Sequence, residues 1–408
     1  MPVKVLIVDD SGFFRHRISD LLSGDKRIEV VGSASNGREA IEQAKRLRLD
    51  LITMDVEMPQ MNGIEAVRVI MRESPTNILM LSSLTHEGAQ ITIQALEAGA
   101  LDYLSKDMRA WMEHSSSLEK QLCDKVVELG RSTHSKRSSM FRGSGSDANS
   151  KSMVFRPEAP KPASKPVSSR PVVGVNTRSI RAEQSKARRA ESPRQEPRAH
   201  AQPIGTRPAA SNSKKTIPAG CKLVVIGSST GGPAALQQIL TQLPENFPYP
   251  ILLVQHMPKT FTSVFASRLD QQCQINVKEA EDGDRLIPGQ ALLAPGGHQM
   301  IIDPRGMDKV KIMPGDERLT YKPSVDVTYA SAAKTFGKNV LAIILTGMGA
   351  DGCDGAKLLR QQGATIWAQN KESSTIYGMP QAVVNAGLAD AILDLSEFGT
   401  LLSNRRAI

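Results

Sequence analysis

Three short stretches carry side chains that could do chemistry together. Residues 223–232 read LVVIGSSTGG, residues 251–256 read ILLVQH, and residues 340–352 read VLAIILTGMGADG. Each opens as a continuous apolar run, the pattern of a buried parallel strand. Each closes in polar groups: Ser228, Ser229 and Thr230 on the first, His256 on the second, Asp351 in the Gly-rich turn after the third. A hydroxyl, an imidazole and a carboxylate at three strand ends are the parts of a nucleophile, its base and the group that orients the base. The order Ser…His…Asp differs from the common ones, but geometry rather than order defines such a set. Spacing alone leaves Ser228, Ser229 and Thr230 as rival hydroxyls. A Gly-rich turn leading into a helix can also cradle phosphate. Two features count against that use. GSSTGG is neither of the usual phosphate-loop patterns, and the next strand ends in Gln255 and His256 where a dinucleotide site wants an acid.

A second constellation lies near the N-terminus. Asp9 and Asp10 follow VKVLIV, Asp55 follows LITM, Ser82 and Ser83 follow ILML, and Lys106 follows residues 101–104. If these runs are parallel strands, their polar ends meet at one edge. Three carboxylates gathered there repel one another unless a cation joins them. A few carboxylate oxygens without nitrogen or sulfur suit Mg²⁺, which keeps several of its waters.

The elements that must position these groups follow from periodicity. In residues 1–130, strands are expected at Val3–Val8, Ile28–Ala34, Leu51–Met54, Ile78–Leu81 and Leu101–Leu104, with helical patterns between them. Five βα units of this size imply a doubly wound parallel sheet covered by helices on both faces. A second αβ series begins near residue 218, with further strands expected at Ala291–Ala294, Met300–Ile302 and Thr365–Ala368. The fold class is therefore α/β, with two doubly wound domains, 1–130 and 218–408, joined by residues 131–217. From residue 134 to 217 there are 18 Lys and Arg against 5 Asp and Glu, a surplus larger than the +9 of the whole chain. The basicity belongs to this Ser-, Pro- and Arg-rich stretch and not to a folded basic face. It is too poor in apolar residues to offset the entropy of ordering, so it reads as a disordered linker, and no specific nucleic-acid partner is expected. Four scattered cysteines, with no Cys-x-x-Cys pair, suggest reduced thiols and no zinc site. No signal-peptide pattern and no apolar run of 18 residues is present, so a cytoplasmic protein without membrane insertion is expected.

The first domain resembles a response-regulator receiver over its full length. The matching residues are Asp9-Asp10, D-x-x-M-P from Asp55, Asn62-Gly63, Ser82-Ser83 and Lys106. The resemblance implies that Asp55 accepts a phosphoryl group from a histidine kinase. It also implies that Asp9, Asp10 and Asp55, with the carbonyl of Glu57, hold Mg²⁺. Lys106 would neutralise the phosphoryl oxygens, Ser82 would donate a hydrogen bond to them, and Tyr103 would be the aromatic that reorients. Asp107 stands where the family usually has proline, which leaves the geometry of that turn open.

The second domain resembles the catalytic domain of the CheB-type chemotaxis methylesterases. The matching stretches include VIGSSTGGP, VQHMP, VKEAEDGDRLIPGQALLAPGGHQM, KPSVDV, ILTGMGADG and AQNKESSTIYGMP. The resemblance places the nucleophile at Ser229, makes His256 its base and Asp351 the orienter. It makes the backbone N–H of Met348 an oxyanion donor and leaves Thr230 to hold the site together, with no cofactor for the esterase. It gives no role to Pro323–Asp326 and Gly378–Pro380, which are read as pocket-shaping loops. The implied activity is phosphorylation-activated hydrolysis of glutamate methyl esters on methyl-accepting chemoreceptors, with deamidation of receptor glutamines. The competing expectation is a phosphorylation-controlled binding module that holds a nucleotide or a partner without turnover.

Overall fold

The computed structural model describes residues 1–106, 111–112, 116–132, 215–316 and 318–403. The expected linker, 131–217, lies outside the described residues except at its two ends, and so does Asp107. All described residues fall within one compact unit.

The N-terminal half alternates β1 (Val3–Val8), α1 (Gly12–Ser23), β2 (Ile28–Ala34), α2 (Gly37–Arg46), β3 (Leu51–Asp55), α3 (Gly63–Glu73), β4 (Asn77–Ser82), α4 (His86–Glu97), β5 (Asp102–Ser105) and α5 (Ser116–Arg131). The strands form a five-stranded parallel sheet in the order β2-β1-β3-β4-β5. β3 and β4 are buried on both faces, which is why they read as unbroken apolar runs. Side chains set the helix starts. Ser11, Asn36, Asn62 and Thr85 each accept a backbone N–H at a helix N-terminus, and Asn62 with Glu65 makes a full capping box.

The C-terminal half runs β6 (Leu223–Ser228), α6 (Gly232–Leu240), β7 (Ile251–Gln255), α7 (Lys259–Gln272), β8 (Asn276–Glu279), β9 (Gln290–Leu293), β10 (His298–Ile302), β11 (Val310–Pro314), α8 (Val325–Phe336), β12 (Val340–Ile344), α9 (Cys353–Gln361), β13 (Thr365–Gln369), α10 (Met379–Asn385), β14 (Ala391–Leu393) and α11 (Leu395–Ser403). Its seven-stranded parallel sheet has the order β14-β13-β12-β6-β7-β9-β8. β6, β7 and β12, the three strands that lead to the candidate triad, are adjacent at its centre and wholly buried.

Both expected domains are thus parallel α/β sheets. One strand sits elsewhere than a simple βα series suggests. Met300–Ile302 belongs to β10, which pairs antiparallel with β11 in a separate two-stranded ribbon. β8 and β14 are only four and three residues long, too short to give a periodic signal.

Candidate active site and phosphoacceptor site

The turn after β6 is built for close approach. Gly231 has φ +78°, and a Cβ there would lie 2.4 Å from Thr375 Oγ1, so only glycine fits. This turn holds Ser229 by its backbone N–H, which donates to the Thr346 carbonyl at the end of β12. His256 N–H donates to the Ser228 carbonyl, so the nucleophile strand and the base strand are tied at their ends. Ser228 itself is fully buried and donates to Gln255 Oε1 at 2.7 Å. That bond takes Ser228 out of the contest for nucleophile. Thr230 is also buried and engaged, which leaves the half-buried Ser229 as the available hydroxyl.

The base and its orienter are joined. His256 Nε2 lies 2.7 Å from Asp351 Oδ2. The ring stacks on Tyr321, with centroids 4.1 Å apart and planes 7° from parallel. The other ring nitrogen, Nδ1, is buried and has no hydrogen-bond partner. With Nε2 taken by Asp351, Nδ1 is the nitrogen left to receive a proton. The expected Ser229–His256 hydrogen bond is not formed in this structure. Catalytic hydrogen bonds are often long or absent without substrate and tighten only with it bound.

Asp351 accepts four hydrogen bonds. Besides His256, the donors are Ser324 Oγ at 2.9 Å and the N–H groups of Val325 at 2.7 Å and Asp326 at 3.1 Å. Burial pushes its carboxyl up, but the hydrogen bond and charge of His256 and the two N–H donors outweigh burial and hold it at about 2. Asp351 is therefore an anion at neutral pH. The neighbouring Asp326 accepts from Gly355 N–H at 2.6 Å. Burial, opposed by that bond and assisted by the Asp351 charge, pushes Asp326 up to about 6.

Met348 follows Gly347, where a Cβ would come within 2.8 Å of Ser229 Cβ. The turn therefore lies against the nucleophile. The Gly347 carbonyl accepts from Gly378 and Met379, and Gly347 N–H donates to Ile376. The Met348 N–H finds no backbone acceptor among the described residues. That is the condition an oxyanion donor must meet. α6 starts at Gly232, whose N–H donates to the Ser229 carbonyl at 2.8 Å, and Pro233 follows it, so this helix start lends its positive end rather than a free first N–H beside Ser229.

In the N-terminal half, Lys106 Nζ lies 2.6 Å from Asp9 Oδ2 and 2.8 Å from Asp55 Oδ2. Lys106 also sits 4.7 Å from the Phe14 ring centroid. Asp55 Oδ1 accepts the Val56 N–H at 2.7 Å. Burial raises the Asp55 carboxyl to about 6, against the charge of Lys106, with Asp9 adding to the rise. Asp9, Asp10 and Asp55 can each offer an oxygen within 4.8 Å of the others. An oxygen-only group of this kind fits a hard divalent cation such as Mg²⁺. Glu57 is exposed in the turn after β3.

The expected switch residues lie farther along the same edge. Ser82 is fully buried, with its hydroxyl 2.6 Å from Thr92 Oγ1 and 3.3 Å from the Gly88 carbonyl. Tyr103 is buried and stacks on Phe261 of α7, with centroids 4.5 Å apart. Burial, aided by the Asp102 charge, raises its phenol well above the ordinary value.

The stack is part of a larger contact between the two halves. α4 packs on α7, where Glu97 accepts from Arg268 Nε at 2.7 Å and Nη2 at 2.8 Å, and from Gln272 at 2.9 Å. Closer to the nucleophile, Thr230 Oγ1 donates to Asp102 Oδ2 at 2.7 Å, and Lys125 of α5 also donates to that carboxylate. Ile376 and Met348 pack against the apolar cluster that includes Trp111 and Leu122. A cleft of about 770 Å³ remains between α5 and the Met348–Gly349 and Ser374–Gly378 loops. Sequence reasoning missed Tyr321, Asp102 and Lys125, and placed Ser324 in a pocket-shaping loop without seeing its bond to Asp351. Only Ser324 left a local signal, as an N-cap before a helical pattern.

The fold and these strand-end groups define a class: an α/β domain with an acidic pocket joined to an α/β domain with a candidate Ser–His–Asp site. Comparison with known proteins agrees. Residues 5–112 match the response regulator receiver domain and residues 224–402 match the CheB methylesterase family. The chain is 52% identical over 399 residues to a protein-glutamate methylesterase/protein-glutamine glutaminase of Pseudomonas savastanoi pv. phaseolicola, covering 98% of each chain. It is equally identical, over the same shares, to one from Pseudomonas aeruginosa. The crystal structure of the Thermotoga maritima CheB methylesterase catalytic domain is 42% identical to it, covering 45% of this chain and 97% of that one, with a TM-score of 0.43. This chain belongs to the CheB methylesterase family, in its form with a receiver domain.

Proposed function

We propose that this protein is a phosphorylation-activated protein-glutamate methylesterase that acts in the cytoplasm on methyl-accepting chemoreceptors and also deamidates their glutamines. The observation that carries the proposal is the Asp351–His256 pair, with Nδ1 unpartnered among the described residues, at the end of the strand that pairs with the one leading to Ser229. Ser229 Oγ attacks the γ-carbonyl of the methylated glutamate as its proton passes to His256. The carbonyl oxygen becomes an anion, which the Met348 N–H stabilises, with the positive end of α6 nearby. The C–O bond to methoxide then breaks, His256 returns the proton, and methanol leaves an acyl ester on Ser229. Water, deprotonated by His256, hydrolyses that ester to glutamate. A glutamine enters the same path with ammonia as the leaving group. No cofactor is needed for these steps. Mass spectrometry of receptor peptides before and after incubation tests the proposal. Loss of methyl groups at glutamates and conversion of glutamines to glutamates are expected. Unchanged peptides, together with stable nucleotide binding, would favour the binding-module reading instead.

Phosphorylation enters through Asp55. Asp9, Asp10 and Asp55, with the Glu57 carbonyl, would hold Mg²⁺, which when bound offsets the charge of the phosphoryl oxygens. Lys106 supplies a second positive charge at Asp55. Replacing Asp55 by Asn is expected to abolish label uptake from a histidine kinase or a small phosphodonor. Chelating Mg²⁺ should do the same to the unaltered protein. Full labelling of Asp55→Asn would move the acceptor elsewhere. In the unphosphorylated protein the receiver stands against the nucleophile turn through Asp102, Lys125 and the Tyr103–Phe261 stack. We infer that this contact restrains the esterase and that phosphorylation weakens it.

A further inference from the structure

The stretch KPSVDV has no part in the chemistry described above, yet it makes three of the four hydrogen bonds to Asp351. Ser324 is buried and fixed at both ends. Its backbone N–H donates to Gln299 Oε1 at 2.8 Å, and Gln299 Nε2 in turn donates to the Tyr321 carbonyl at 2.7 Å. Its hydroxyl donates to Asp351 Oδ1 at 2.9 Å and also accepts the Val327 N–H at 3.4 Å as the N-cap of α8. Val325 N–H takes Asp351 Oδ2, the oxygen shared with His256, and Asp326 N–H takes Oδ1. The carboxylate is thus clamped across both oxygens by the first residues of one helix. The helix that carries the clamp is itself locked to α9, which begins just after Asp351. Asp326 Oδ1 accepts the Gly355 N–H, and a Cβ on Gly355 would lie 2.6 Å from Tyr329 Cβ.

Building on the ester-hydrolysis reading, we propose that Ser324 is a positioning residue for catalysis: with the N–H groups of Val325 and Asp326 it fixes the plane of the Asp351 carboxylate, and through it the orientation of His256. A carboxylate held only by the imidazole could rotate about its last C–C bond, and the ring would follow it. Two oxygens pinned from outside leave the Nε2 bond one direction. The imidazole is then held in one orientation before substrate arrives, which is how preorganisation lowers a barrier. The charged and titratable groups around the clamp are His256 from the β7 end, Asp326 from α8, Tyr321 over the imidazole and Asp354 from α9.

Ser324→Gly removes the hydroxyl while glycine remains an acceptable N-cap, so loss of the clamp is separated from loss of the helix. In full-length protein it is expected to lower kcat for methanol release roughly tenfold, the scale of one lost hydrogen bond to a charged group, with KM little changed. In an Asp351→Asn background the same substitution should cost almost nothing further, because the residues act as a unit. A second readout does not depend on turnover. The low-field proton resonance of the His256 Nε2–H, assigned by its loss in His256→Gln, should broaden or move in Ser324→Gly. Wild-type kcat together with an unchanged imidazole resonance would overturn the proposal. So would an equal fall in kcat with and without Asp351. If the wild type itself released no methanol, the hydrolytic reading would fall, and the imidazole resonance would still decide the clamp.

Discussion

Replacing Ser229 by Ala is expected to reduce kcat for methanol release on the order of 10⁴–10⁶-fold, the range found when a triad nucleophile is removed. Asp55 phosphorylation should be unchanged, because the two sites belong to separate sheets. His256→Ala should fall nearly as far, and the double variant little further. Ser228→Ala should behave differently. Its hydroxyl is buried and committed to Gln255, so its loss leaves Gln255 Oε1 short of a donor and lowers stability, by about 1–3 kcal/mol. Most of the turnover should remain. Steady-state kinetics and thermal melts on the same preparations separate the two effects. An inactive Ser228→Ala beside an active Ser229→Ala would reverse the assignment.

The second large effect concerns the contact between the halves. Glu97 receives a bidentate pair from Arg268 and a further bond from Gln272, at the edge of the contact and away from the triad. Glu97→Arg would set two guanidinium groups against each other. If docking restrains the esterase, the unphosphorylated Glu97→Arg protein should hydrolyse ester faster than wild type. Full release corresponds to about 5- to 150-fold, for a coupling of about 1–3 kcal/mol. Adding Arg268→Glu restores opposite charges and should restore the restraint. Residues 218–408 alone should match the released level and ignore phosphodonor. Equal activity of wild type and Glu97→Arg, both unphosphorylated, would mean that phosphorylation acts by another route.

Much of this was legible in the sequence because parallel sheets write clearly. β6, β7 and β12 are buried on both faces and so appear as unbroken apolar runs, with Ser229 and His256 directly after two of them and Asp351 in the Gly-rich turn after the third. Parallel topology then gathers the ends without any knowledge of distances. The same logic found Asp9, Asp55 and Lys106. It did not find what depends on packing between distant segments. Ser324 reads as an ordinary N-cap, and only the fold brings it under Asp351, 27 residues away in the chain. Asp102 reads as a strand residue, and its bond to Thr230 spans 128 residues. The choice between Ser228 and Ser229 was likewise beyond spacing, since it rests on which hydroxyl Gln255 captures. The ribbon β10–β11 escaped because its strands are regular locally but leave the main sheet.

The measurement that tests the account most directly is methanol released over time from methylated receptor membranes by the full-length protein, with Mg²⁺ and with or without a small phosphodonor. The account predicts slow release without phosphodonor and a rate about 5- to 150-fold higher with it, an increase that Asp55→Asn abolishes. Absence of methanol under both conditions, from protein shown to be folded and labelled at Asp55, would contradict it.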